Sequence, residues 1–142
     1  MRTNLNLFLS AAFLVFAGCS TAQNTEQKTE QNTEQNTEQG TELDAKAFSQ
    51  AMTAKDVQLV DVRTPQEYAA GHLIGSVNVN WTADDYETTY AKLDKSKPVL
   101  LYCHAGGRSE QALEYLLERG YTAQHLVGGY TAWKKEGLPS TK

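Results

Sequence analysis

The stretch Val99-Leu100-Leu101-Tyr102-Cys103-His104-Ala105-Gly106-Gly107-Arg108-Ser109 decides how the rest of the chain is read. Its first four residues are apolar and follow Pro98, which is the length and composition of a strand covered on both faces. The period then changes. Ala112, Leu113, Leu116 and Leu117 fall on one stripe of a helix spanning Gln111 to Arg119, Glu110, Glu114 and Glu118 fall on another, and Gly120 stops it. A strand, a tight loop and a helix in that order place Cys103 at the carboxyl edge of a sheet, where open α/β folds hold ligands.

The loop chemistry follows from residue types. Gly106 and Gly107 permit backbone conformations closed to other residues, so successive N–H groups can converge on one centre. Together with the positive end of the helix and the Arg108 guanidinium they make a pocket for an anion. Such surroundings favour thiolate, lowering a cysteine from its usual value near ~8.5. Cys103 therefore reads as a nucleophile in a cradle of donors, suited to attack an anionic substrate and hold a charged adduct. The plainer alternatives are a buried small hydrophobe for Cys103 and a surface charge for Arg108.

Strand and helix signals alternate on both sides of this unit. Leu43, Ala47, Phe48, Ala51 and Met52 predict a helix within Leu43 to Ala54, and Val57-Gln58-Leu59-Val60 a strand. Thr64-Pro65-Gln66-Glu67 is a capping box with proline at the first helical position, giving a short helix to about Ala70 that Gly71 ends. Ser76 to Asn80 reads as a strand, Asp84 to Leu93 as a helix, Ala123 to Val127 as a last strand and Tyr130 to Glu136 as a last helix closed by Gly137. Short connections between alternating elements imply an α/β fold, a parallel sheet with helices on both faces. Asp61, Arg63 and Glu67 suggest structural support more than acid/base chemistry. Arg63 and Glu67 stand four apart across a helix start, and Asp61 at a strand end can tie loop backbone together. His72 closes a turn beside Gly71, His104 either tunes its neighbour Cys103 or faces solvent, and Tyr130 and Trp133 read as core or rim.

The first 40 residues have a different character. Met1-Arg2-Thr3-Asn4 gives a positive start, Leu5 to Ala17 is largely apolar but short of the ~20 residues of a spanning helix, and Phe16-Ala17-Gly18-Cys19 resembles a bacterial lipobox. The expected organisation is a signal peptide over 1–18, a lipidated Cys19 opening a low-complexity linker over 19–40, and a domain over 41–142. An ordinary secretory signal or an uncleaved anchor would export the domain as well. Between Asn24 and Gln39, N-T-E-Q and K-T-E-Q units repeat every four residues with no apolar side chain to bury, the composition of a solvated tether.

Over the 142 residues, 13 basic against 17 acidic side chains with no basic block argue against nucleic acid as partner. Forty per cent hydrophobic residues suffice for the core of one domain, with a monomer favoured. Cys103, His72, His104 and His125 lack the paired spacing of a zinc site, so no metal is expected. With Cys19 lipidated, Cys103 would be the sole thiol, so disulfide chemistry is disfavoured.

The loop Cys103-His104-Ala105-Gly106-Gly107-Arg108-Ser109 resembles the active-site loop of single-domain rhodaneses. Asp61-Val62-Arg63, Glu67-Tyr68, Gly71-His72 and Gly75 resemble that family's first half, and Val127-Gly128-Gly129, Trp133, Gly137 and Pro139 its C-terminal signature. The likeness runs from about Leu43 to Pro139. It implies a three-layer rhodanese-like domain with about five strands, and a sulfurtransferase that needs no cofactor. Cys103 would be the catalytic thiolate, with His104, Ala105, Gly106, Gly107, Arg108 and Ser109 forming the substrate-binding loop. A small anionic sulfane donor such as thiosulfate would leave a Cys103 persulfide, which cyanide in vitro or a thiol in vivo would unload. Two other readings stay open: a sulfur carrier or binding module without turnover, and a cysteine phosphatase or arsenate reductase. Phosphatase loops place five residues between cysteine and arginine. Here there are four, and by the resemblance the smaller pocket suits a transferable sulfur better than a phosphoryl group. The expected location is the bacterial cell envelope, lipid-anchored and facing the periplasm or the cell surface.

Overall fold

In the computed structural model, which describes residues 41–142, Val99 to Tyr102 form the middle strand of a five-stranded sheet. In chain order the elements are β1 (Glu42–Leu43), α1 (Ala45–Ala51), β2 (Gln58–Asp61), α2 (Pro65–Ala70), β3 (Val77–Asn78), α3 (Tyr86–Tyr90), β4 (Val99–Tyr102), α4 (Gly107–Glu118), β5 (Ala123–Leu126) and α5 (Gly129–Lys135). The strands lie in the order β1-β5-β4-β2-β3, and every neighbouring pair is parallel. The expected α/β architecture of five strands is thus the observed one.

The pleat of β4 explains its unbroken apolar run. Val99, Leu101 and the following Cys103 face one core, where they meet Ala112, Leu113 and Leu116 of α4 and Tyr90 of α3. Leu100 and Tyr102 face the other, against Ala45 and Phe48 of α1 and Tyr130 and Trp133 of α5. The Phe48 and Trp133 rings meet edge-on at 6.3 Å. A strand buried on both sides has no polar face to display, so all four β4 residues are apolar.

Several boundaries differ from those read in the sequence. Leu43 belongs to β1 rather than to the first helix, because Asp44 caps that helix by accepting from Ala47 N–H at 2.7 Å. Leu43 is paired in register with Leu126. The helix expected over Asp84 to Leu93 is the short α3, with turns on either side. The helix after the loop begins at Gly107, a full turn earlier than its apolar stripe, so Arg108 and Ser109 lie in its first turn. The capping box of α2 is present as read: Thr64 Oγ1 accepts from Glu67 N–H at 3.3 Å, and Thr64 N–H donates to Glu67 Oε2 at 3.1 Å. Near the end of the chain Thr141 forms an antiparallel bridge with His72.

Candidate active site

Cys103 follows β4 at the carboxyl edge of the sheet and is 2% exposed. The backbone then reverses through Gly106, whose φ of +110° suits a residue without Cβ. Gly107, by contrast, opens α4 without a positive φ, so only one of the two loop glycines supplies the unusual conformation. Gly106 N–H donates to Cys103 Sγ at 3.1 Å, and Ser109 Oγ lies 3.6 Å from the same sulfur.

Burial pushes the Cys103 thiol up. Hydrogen bonds from the Ser109 backbone and hydroxyl and from the Gly106 and Ala105 N–H groups outweigh it, and the thiol ends below its ordinary value. The donors thus converge on the sulfur itself. This is the chemistry of a nucleophile whose negative charge is held largely by fixed main-chain dipoles.

The loop is fastened from behind. Tyr130 N–H donates to Cys103 O at 2.7 Å, and Thr131 N–H and Oγ1 both donate to His104 O at 3.0 Å. This close approach needs glycine at 129: a Cβ there would come within 2.5 Å of Cys103 O and 2.9 Å of Ala105 N. His104, Ala105 and Gly107 are exposed at the rim, so the His104 side chain faces outward beside the buried sulfur.

The supporting charges sort differently from their spacing. Arg63 does not pair with Glu67 four residues on. It turns back to Asp61, with Nε 2.9 Å from Oδ1 and Nη2 2.6 Å from Oδ2, and a further bond from Nη2 to Gly71 O at 2.7 Å. Both residues are almost fully buried, and the guanidinium lies 4.4 Å from the Tyr130 ring centroid. Glu67 instead takes both ends of Arg108, at 2.7 and 2.8 Å. Arg108 thereby holds its carboxyl well below the usual range, at about 2, against a smaller opposing effect of burial. Glu67 thus links the cap of α2 to the first turn of α4, and the Arg108 charge is still felt at Cys103. His72 sits as a turn residue, its Nδ1 3.0 Å from Tyr68 O and its ring stacked on Tyr68 at 3.7 Å.

The sequence reading weighed His125 only as a metal ligand. The structure buries it on the Cys103 side of the sheet, with Nδ1 3.3 Å from Ser109 Oγ. The available signal was the alternation of β5. Ala123 and Leu101 face the Cys103 core, and His125 is the register partner of Leu101. Cys19 lies outside the described residues, as do the signal and linker read in the first 40 positions.

Fold and site together define an α/β protein with a donor-ringed cysteine at a strand-to-helix turn. The chain belongs to the rhodanese-like domain family, whose family model matches residues 44–136. It is 36% identical over 99 residues to a sulfurtransferase of Allochromatium vinosum, covering 68% of this chain and 91% of that protein. It is 37% identical over 92 residues to the chloroplastic thiosulfate sulfurtransferase 16 of Arabidopsis thaliana, covering 57% and 77%. Among solved structures it resembles a rhodanese-related protein from Thermoplasma volcanium, with TM-score 0.64, 26% identity, and coverage of 70% of this chain and 96% of that one. A rhodanese-like domain protein from Staphylococcus aureus gives TM-score 0.60 at 29% identity, covering 69% and 95%. At the level of the family, the activity class is sulfur transfer.

Proposed function

We propose that the protein moves a sulfane sulfur in two steps through a Cys103 persulfide. The thiolate attacks the outer sulfur of thiosulfate or a related donor. The S–S bond to the departing group breaks, and sulfite leaves with the bonding pair in the thiosulfate case. The persulfide anion is then attacked at its terminal sulfur by a thiolate or cyanide, which carries that sulfur away and returns Cys103 to the thiolate. Charge is conserved in both steps and no cofactor takes part. The observation that carries this reading is the bond from Gly106 N–H to Cys103 Sγ at 3.1 Å, backed by Ser109, because donors fixed on the sulfur stabilise the thiolate that attacks the donor and that is regenerated when the persulfide is unloaded. Incubation with thiosulfate should add one sulfur to the intact mass, cyanide should remove it, and Cys103→Ser should never acquire it. A wild-type mass unchanged by thiosulfate and by a small persulfide donor would sink the proposal.

One observation favours a second reading, a carrier loaded by a persulfide on another protein. Arg108 is held by Glu67 through two hydrogen bonds, so a dianionic donor competes with a carboxylate for that guanidinium. Steady-state thiocyanate formation separates the two. Turnover with thiosulfate supports the enzyme, whereas loading from persulfide without such turnover supports the carrier.

The lipobox-like Phe16-Ala17-Gly18-Cys19 supports export and lipidation at Cys19, with the domain carried on a hydrophilic tether in the cell envelope. Metabolic labelling with a fatty-acid analogue checks this. Label lost in Cys19→Ala supports the anchor, and an unlabelled wild-type chain removes it.

A further inference from the structure

Ser109 Oγ stands at a junction of three groups: Cys103 Sγ at 3.6 Å, Gly106 O at 2.8 Å and His125 Nδ1 at 3.3 Å. A hydroxyl has one proton to give and two lone pairs to offer. The carbonyl and a thiolate can only accept, so they already compete for that proton. A bare Nδ1 on His125 would be a third competitor. An Nδ1 that carries hydrogen would instead donate to the serine oxygen and leave the hydroxyl proton to the sulfur and the carbonyl.

The other ring nitrogen decides between these cases. His125 is 4% exposed, and its Nε2 is buried with no hydrogen-bond partner among the described residues. A buried N–H with no acceptor is the rarer and costlier fault, whereas a bare ring lone pair is better tolerated. The tautomer assigned from this bonding pattern therefore has its proton on Nδ1. We infer that His125 is a positioning residue for Cys103, acting through Ser109: its Nδ1–H occupies the serine oxygen and so does not compete with the sulfur and the Gly106 carbonyl for the serine proton.

The surroundings keep the ring neutral. Burial pushes His125 below its ordinary value, and the carboxylates of Glu42 on β1 and Glu110 on α4, which share a cavity wall with it, only partly oppose that. A neutral ring has one N–H, so the choice of tautomer also decides whether the ring competes for the serine proton. The serine hydroxyl is among the groups that lower the Cys103 thiol. This inference rests on Cys103 being the reacting thiolate and names a residue that helps set its charge.

Two measurements test it. The first is the pH profile of Cys103 alkylation in the full-length chain, followed at that residue by peptide mass. His125→Leu and Ser109→Ala should each raise the midpoint by about half a unit to one unit, roughly three- to tenfold less thiolate at pH values below the midpoint. The double variant should shift no further than either single one. His125→Asn, whose side-chain N–H can reach the serine oxygen, should bring the midpoint back. An unmoved midpoint in folded His125→Leu, an equal further shift on top of Ser109→Ala, or no recovery with asparagine overturns the inference. The second needs no variant. Imidazole 15N spectra of the wild-type chain should show His125 protonated at Nδ1, and protonation at Nε2 overturns the inference even if His125→Leu fails to fold. Neither readout involves sulfur transfer. A chain that passes both yet never takes up sulfur would refute the sulfurtransferase reading alone.

Discussion

The Arg108 guanidinium and the Glu67 carboxylate meet in two hydrogen bonds, 2.7 and 2.8 Å long, across 41 positions of sequence. The pair joins the first turns of α2 and α4, and its two side chains are 30% and 27% exposed, so solvent screens it only in part. Glu67 titrates at about 2 in the folded chain against an ordinary 4.5. A carboxyl depressed by folding contributes stability that is fully present above pH 4.5 and is lost as pH falls through about 2. After allowance for screening, Glu67→Gln should cost about 1–2 kcal/mol at neutral pH. That deficit should shrink in acid. Urea unfolding at pH 7 and at pH 3 reads it, and a deficit equal at both values would count against the ion pair as its source.

A larger effect is expected at Arg63. It is bound to Asp61 where neither side chain is more than 3% exposed, so removing the cation leaves an unpaired buried carboxylate. Arg63→Met should destabilise the domain by about 3–5 kcal/mol. It should also free the turn at Gly71, whose carbonyl the same guanidinium holds. Equilibrium unfolding measures the first effect and amide exchange around residues 71–73 the second. A loss below about 1 kcal/mol would mean that the pair is dispensable.

Gly129 and Gly107 should behave oppositely. A Cβ at 129 meets Cys103 O at 2.5 Å with φ at +56°, whereas one at 107 meets nothing within 4 Å. Gly129→Ala should cost about 2–5 kcal/mol from steric overlap and left-handed backbone together. Gly107→Ala, on the first turn of α4, should stay within about 1 kcal/mol of wild type and can stabilise. Denaturation of the two variants side by side checks the contrast. Equal effects would mean that the loop does not rest on α5 as described.

The thiol should show a low midpoint and a slow rate. Hydrogen bonding from the loop and Ser109 overcomes the burial that raises the Cys103 thiol, so its alkylation profile should turn at lower pH than that of a free cysteine measured alongside. At 2% exposure the sulfur should still react more slowly than a free thiolate at the plateau. Iodoacetamide kinetics against pH separate midpoint from plateau. A midpoint above that of free cysteine would show burial dominating.

The elements around Cys103 were legible because their signals are local. The apolar run of β4, the capping box at Thr64 and the helix-ending glycines at 71, 120 and 137 each act within a few residues. What escaped the sequence depends on partners far along the chain. Leu43 fits a helical stripe as well as a strand, and its pairing with Leu126 settles the matter. Spacing suggested Arg63 with Glu67, but β2 leads Arg63 back to Asp61, and α4 brings Arg108 to Glu67. The place of His125 beside Ser109 follows from strand order, which no short motif encodes.

The Gly106 N–H that reaches the sulfur belongs to the main chain, and the outward-facing side chains of His104 and Ala105 are not needed to hold that geometry. Positions 104 and 105 can therefore carry many side chains, reshaping the rim above the sulfur, while the amide that reaches Cys103 stays in place.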